Sequence, residues 1–221
     1  MGFIVAVDGT AGSGKGTVTK LVAEKLNLVT IDTGAMYRCV TVAVLEQNVN
    51  LDDAEKIAEI LKNLQIEFIE DENGKKVLLN GKDVTLKIRS KEVNENVSPV
   101  STLRAVREHL AEMQREMAKT IDVIMEGRDI GTNVFPNADV KIYLDATPEE
   151  RATRRFKQNQ ENGIEMSFEE ILKNVKERDY IDSHREVAPL TKADDAIYID
   201  STGMEIEKVV EEIVKIINEK R

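Results

Sequence analysis

The chain has almost nothing with which to staple itself. One cysteine, Cys39, stands in 221 residues, which excludes an internal disulfide and a cysteine-based zinc site. Cys39 is left to serve as a small buried hydrophobe. No apolar run comes near the ~18 residues of a membrane-spanning helix. The opening MGFIVAVDGT has neither the basic region nor the cleavage site of a signal peptide, so a cytoplasmic location is expected. Positive charge is scarce: 31 Lys and Arg against 41 Asp and Glu give a net charge of -10, which argues against general binding to nucleic acid or to a membrane surface. Only two histidines occur, His109 and His184, and neither stands in a nucleophile-base arrangement. Internal repeats, low-complexity tracts, flexible interdomain linkers and exposed heptads are missing too, and the last of these makes a monomer the expectation. With 41% hydrophobic and 33% charged residues, the balance is that of a globular protein long enough to bury its own core.

Short apolar runs at Phe3 to Val7, Leu28 to Asp32, Val123 to Met125 with its flanks, Val140 to Leu144 and Ala196 to Asp200 read as buried strands. Between and after them lie helical segments; the last carries apolar residues at Ile206, Val209, Val210, Ile213 and Ile217. Such alternation points to an α/β fold, a parallel five-stranded sheet flanked by helices. Two stretches break the pattern. Residues 65–84 hold Asn73-Gly74 and Asn80-Gly81 between strand-like runs, the signature of a small antiparallel insert built on tight turns. Residues 147–170 are rich in charge and amides around Asn162-Gly163, and read as two helices joined by a turn. The expected organisation is one domain of 1–221, with core 1–62, insert 63–98, core 99–146, a helical lid 147–170 and core 171–221.

The strongest local signal follows the first strand: Gly9-Thr10-Ala11-Gly12-Ser13-Gly14-Lys15-Gly16-Thr17. Glycines let successive backbone N–H groups converge on a phosphate, the helix beginning near Lys15 adds its partial positive charge, and Lys15 can reach the outer phosphates. The G-x-G-x-x-G dinucleotide pattern does not match, since the glycines are spaced G-x-G-x-G. A strict P-loop has serine or threonine directly after its lysine to ligate magnesium; here Gly16 fills that slot and Thr17 comes one residue late. Direct metal ligation by the loop is therefore not expected. Phosphates and water suit magnesium's reluctance to dehydrate.

Arg128, Arg151, Arg154, Arg155, Arg178 and Arg185 crowd into segments that otherwise look functional. Arginine grips phosphate or carboxylate with a planar fork, so the clusters suggest anionic ligands. On charge alone, pairing with neighbouring glutamates on solvated helices accounts for them better.

The form Gly-x-x-Gly-x-Gly-Lys-Gly-Thr resembles that of the nucleoside monophosphate kinases. Asp32-Thr-Gly-Ala-Met-Tyr-Arg38, Glu126-Gly-Arg-Asp-Ile-Gly-Thr132, Glu150-Arg-Ala-Thr-Arg-Arg155, and Glu177-Arg-Asp179 through Asp182, Arg185 and Ala188-Pro-Leu190 are similar to segments of the bacterial cytidylate kinases, in the family's order and over nearly the whole chain. The resemblance implies a P-loop kinase that transfers the γ-phosphoryl of ATP, with Mg2+, to CMP and dCMP. By that resemblance Gly9 to Thr17 bind ATP, and Lys15, Arg128, Arg151, Arg154 and Arg155 are catalytic, the last three on the lid. Thr33, Arg38, Ser98, Arg107, Arg128, Asp129, Arg178, Asp182 and Arg185 form the CMP site. Within it Arg38 and Arg128 hold the phosphate, Ser98, Arg107 and Asp129 face cytosine, and Asp182 takes the ribose hydroxyls. No protein metal ligand, nucleic-acid partner or membrane is implied.

Chemistry agrees with the resemblance. Phosphoryl transfer needs positioning and charge neutralisation more than covalent help, and an acceptor phosphate with its second pKa near ~6 needs no general base. Two other readings compete. An alcohol kinase of the shikimate type would use Asp32 as base, leaving the insert and the Ser98, Arg107, Asp129 set without purpose. A non-enzymatic nucleotide switch would need a guanine-reading Asn-Lys-x-Asp motif, which the chain lacks. Asp32 otherwise reads as a helix cap, Met36 and Tyr37 as packing residues. Pro99 biases Ser98 toward extended backbone in a binding loop.

Overall fold

The structure is a computed structural model that describes residues 2–72, 74–161 and 163–221. Asn73 and Asn162, on which two of the expected turns depend, lie outside the described residues. The chain divides into two compact units, one formed by residues up to Asp32 with Arg115–Arg221, the other by Thr33–Gln114. Residues 63–98 lie within the second and residues 147–170 within the first.

The first unit is built on a five-stranded, all-parallel sheet in the order β2-β6-β1-β7-β8: β1 Ile4–Asp8, β2 Val29–Asp32, β6 Val123–Gly127, β7 Val140–Asp145 and β8 Ile197–Asp200. All five sequence-derived strands are present. The central strand β1 reads IVAVD and is buried along its whole length, as a strand covered on both faces requires. Helices α1 (Lys15–Leu26), α6 (Pro148–Glu161), α7 (Phe168–His184) and α8 (Ile206–Lys220) complete the unit. Val18 and Val22 of α1, Val5 and Val7 of β1, Ile142 and Leu144 of β7, and Val209, Val210, Ile213 and Ile217 of α8 form one core cluster. Each aliphatic side chain buried there contributes about 1.5–3 kcal/mol. Helix α7 starts on a complete capping box: Ser167 Oγ accepts from Glu170 N while Glu170 Oε2 accepts from Ser167 N.

The second unit contains α2 (Thr33–Glu46), α3 (Ala54–Lys62), the antiparallel strands β3 (Ile66–Asp71), β4 (Gly74–Leu79) and β5 (Lys82–Asp83), α4 (Lys91–Thr102) and most of α5 (Arg104–Met117). The three strands are the expected insert, paired in register Phe68 with Val77 and Leu79 with Lys82. Asn80 and Gly81, with φ 49° and 77°, supply the left-handed pair that the β4–β5 turn needs. Helix α2 packs on α4, and Met36 and Cys39 are fully buried, as expected.

One expectation is corrected here. Ser98 is not extended: it sits in α4 with Pro99 directly after it inside the same helix. Val93, Val97 and Val100 are all buried, and burying that stripe outweighs the local bias against helix before proline. Pro99 lies near the C-terminal end, where the helix closes four residues later on Leu103 N to Val100 O.

Candidate active site

Strand β1 ends in Asp8, and residues 9–14 turn back into α1. The turn is possible only because of its glycines. A Cβ on Gly9 (φ 147°) would stand 1.9 Å from Leu144 O of the adjacent strand. Gly14, at φ 92°, is the N-cap of α1, and no side chain caps that helix end, so no capping side chain competes for its first-turn amides. Ser13 Oγ donates to Thr10 O across the loop at 3.0 Å, and Thr10 Oγ1 donates to Asp145 Oδ1 at the end of β7. Lys15 points back into this turn: Nζ donates to Gly9 O at 2.8 Å and Thr10 O at 2.7 Å. Burial holds its pKa below the ordinary lysine range, and Arg128 lowers it further while Glu126, Asp8 and Asp182 work the other way. Thr17 is exposed on α1.

The acidic strand ends matter as much as the loop. Parallel register puts Asp32 beside Glu126. Burial, then the neighbouring Asp32 charge, pushes the Glu126 carboxyl upward. A Cβ on Gly16 would meet Glu126 Oε1 at 2.9 Å, so a carboxylate lies against the position where a strict P-loop carries its hydroxyl. Asp8 accepts from Ile130 N and Gly131 N at 2.8 and 2.7 Å. These bonds tie β1 to a π-helical turn, Ile130–Val134, which Asp129 precedes as its cap residue. Burial pushes Asp8 up to about 6 against the pull of those two amides.

Beyond the loop, four charged side chains form one network. Arg128 Nε donates to Asp182 Oδ2 at 2.9 Å, while Arg185 lies 3.5 Å from Asp129 Oδ1 and 3.6 Å from Asp182 Oδ1. Burial alone would raise the Asp182 pKa, yet Arg128, Arg178 and Arg185 outweigh it and hold the carboxyl below its usual range. Arg185 also donates through Nε and Nη2 to Ala188 O, closing a turn in which Ala188 adopts φ 47°.

Helix α6 brings two arginines onto the phosphate-type loop. Arg151 is 2% exposed and donates to Ala146 O, to Ala11 O and to both oxygens of Asp179 on α7. Arg154 donates to Ser13 O at 3.2 Å and Ser201 O at 2.7 Å, with Glu150 on its Nε. Arg155 is exposed and meets Gln158.

The remaining candidates belong to the second unit. Thr33 is buried at the start of α2, and Arg38 donates to Ile88 O and Asn94 Oδ1 at 3.0 and 2.7 Å. Arg107, 1% exposed, donates to Ser101 O and lies 5.4 Å from the Tyr37 ring centroid. Ser98 is half-buried on α4. Sequence reasoning assigns no role to Asp8, Asp179 or Ser201; Glu126 and Asp179 enter it only as members of motifs. Asp8 had a legible signal, a carboxylate closing an otherwise apolar buried strand. Ser201 had none, because its partners are distant in sequence.

A family model described as cytidylate kinase matches residues 5–219. The chain belongs to the cytidylate kinase family. It is 51% identical over 213 residues to the cytidylate kinase of Fusobacterium nucleatum, covering 96% of each chain. With the cytidylate kinase of Bacillus subtilis it shares 47% over 216 residues, 98% of this chain and 96% of that one. Among solved structures, an uncharacterized protein from Eubacterium ventriosum superposes with a TM-score of 0.54 at 12% identity, covering 98% of both chains, a likeness of fold alone. As a member of its family, the chain is an enzyme, an ATP-dependent nucleoside monophosphate kinase.

Proposed function

We propose that this kinase transfers the γ-phosphoryl group of ATP to CMP and dCMP, giving ADP and the pyrimidine diphosphate. The observation that carries the reading is that Asp8, directly before the glycine turn into which Lys15 Nζ donates, accepts from Ile130 N and Gly131 N directly after Asp129, so the turn and the Arg128–Asp182–Arg185–Asp129 network are tied together. One cation set thus serves a donor phosphate chain, and the Arg128–Asp182–Arg185–Asp129 network beside it serves an acceptor nucleotide. ATP and CMP together bring roughly six negative charges near neutral pH, and fixed cations in a water-poor site stabilise the charge that spreads over the transferring group.

In this reading residues 9–17 cradle the ATP phosphates, and Lys15, Arg128, Arg154 and Arg155 supply positive charge, with Arg151 seated beneath the loop. Arg38, Arg128 and Arg178 hold the CMP phosphate. Ser98, Arg107 and Asp129 read cytosine, where a carboxylate accepts from the exocyclic amine and repels the carbonyl of uracil. Asp182 and Arg185 meet the ribose, and Thr33 lines the acceptor side. The division into core, insert 63–98 and lid 147–170 belongs to the same proposal: lid closure excludes water that would hydrolyse ATP.

The donor set around Gly16 fits magnesium carried in by nucleotide phosphates and water. Gly16 has no hydroxyl to offer, and the Glu126 carboxylate lies against it. When bound, the ion neutralises charge across the phosphates. No described helix is long and apolar enough to cross a membrane; a cytoplasmic monomer acting on free nucleotides completes the proposal.

The test is ADP release from MgATP with CMP, dCMP, UMP, AMP and shikimate as separate acceptors. Strong turnover of CMP and dCMP with feeble UMP turnover is expected, and Asp129→Asn should weaken CMP more than ATP and relax discrimination against UMP. Turnover of shikimate alone would overturn the substrate, and unchanged CMP/UMP selectivity in the variant would remove Asp129 from base reading.

A further inference from the structure

Arg151, expected from the resemblance to be catalytic, directs its donors to protein acceptors, one of which belongs to a neighbour that the proposed chemistry leaves unused. Its guanidinium forks onto the Asp179 carboxylate, Nη1 to Oδ1 at 2.9 Å and Nη2 to Oδ2 at 2.5 Å. The same Nη1 donates to Ala11 O in the phosphate loop at 3.0 Å, and Nε donates to Ala146 O at the end of β7 at 2.9 Å. The aliphatic stem lies alongside as well: a Cβ on Gly12 would meet Arg151 Cβ at 3.4 Å, an ordinary van der Waals contact. A fork onto a carboxylate fixes both the direction and the plane of the guanidinium. The plane that Asp179 sets is the one in which Nη1 faces Ala11 O.

We propose that Asp179 is a positioning residue for ATP: through Arg151 it holds the Ala11–Gly12 segment of the phosphate loop in its binding shape. It rests on the kinase reading above, since nucleotide turnover is one of its readouts. Three separated pieces of the chain meet in this clamp, the loop after β1, the start of α6, and α7. The loop needs such a brace because its glycines give it wide backbone freedom and α1 has no side-chain cap. Helix α7 does not depend on the clamp. It packs on α6, its Phe168 meets Phe156 edge-on at 6.4 Å, and Asp182 is held by Arg128 and Arg185. Breaking the clamp therefore loosens the ATP side and leaves the α7 part of the acceptor network in place.

The experiment compares Asp179→Ala, Asp179→Asn, Arg151→Met and the double variant Asp179→Ala/Arg151→Met, each confirmed folded by circular dichroism. Asp179→Ala is expected to raise KM for ATP ~10-fold, as misplacement of a binding element does, with KM for CMP within about 2-fold of the parent. The double variant should be no worse than the worse single, because both changes remove one clamp. A general loosening of the fold would raise both KM values and overturn the assignment. So would an Asp179→Ala enzyme with parental KM for ATP beside an Arg151→Met enzyme crippled in kcat, because Arg151 would then act on the reacting group without Asp179. Hydrogen exchange of the amides of residues 11–14 in the nucleotide-free protein gives a readout independent of turnover. It should accelerate in Asp179→Asn, which keeps the shape of the side chain, and unchanged exchange there sinks the clamp. If the parent fails to phosphorylate CMP, the kinase reading falls while the exchange result still decides the clamp.

Discussion

Asp8→Asn tests how a buried carboxylate is balanced against the loop it holds. In the folded chain burial pushes Asp8 from the ordinary 3.8 up to about 6, so the fold binds its proton more tightly than the unfolded chain does. The contribution is therefore fully favourable below pH ~4 and is lost as pH rises through about 6. At 1.36 kcal/mol per pH unit, the gap between the two values amounts to roughly 3 kcal/mol of instability once Asp8 is ionised. Asparagine cannot ionise, which removes this loss, but it has one oxygen for the two amides of Ile130 and Gly131. The unmet amide costs about 1–3 kcal/mol at every pH. Urea unfolding followed by circular dichroism, at constant ionic strength from pH 4 to 7.5, separates the two effects. The stability of the variant minus that of the parent should climb by about 2–3 kcal/mol across that range, or about 5–10 °C in relative Tm for a chain of this size. Turnover should fall, because the turn that follows Asp129 has lost half its tether. A stability difference that stays level from pH 4 to 7.5 would refute the assignment of a protonation cost to Asp8.

Two further outcomes follow from the loop. Lys15→Met should leave the circular dichroism spectrum intact and lower kcat at least ~100-fold, the usual consequence of losing a contact made to transition-state charge; a variant with parental turnover removes the glycine loop from the mechanism. Gly9→Ala should cost at least ~4 kcal/mol or prevent folding, because its Cβ collides with Leu144 backbone in a conformation of φ 147°. A urea midpoint near that of the parent would show that β1 and β7 separate easily at this point.

What could be read from the sequence was what local chemistry dictates. Five apolar runs became five strands, the central β1 buried along its whole length and the edge strands β2 and β8 largely exposed; on α8 the spacing of Val209, Val210, Ile213 and Ile217 set the buried face, while Ile206 at its start stays exposed. The glycine turn was legible because few other residues fit its positive φ angles, and Asn80-Gly81 named its turn for the same reason. Asp32 came to lie beside Glu126 through strand register, a pairing no local pattern encodes. Asp8 found its amide partners 122 and 123 residues away, and Arg151 found Asp179 28 residues away and Ala11 140 residues away. Ser98 went the other way: proline's local rule argued for extended backbone, and the burial of Val93, Val97 and Val100 overrode it. Sequence thus determined which groups carry charge and which segments make the sheet, since those depend on side-chain chemistry and short-range geometry. Which carboxylate steadies which arginine, and how far burial moves each proton, was decided only when the parallel sheet and its helices brought distant residues into one low-dielectric place.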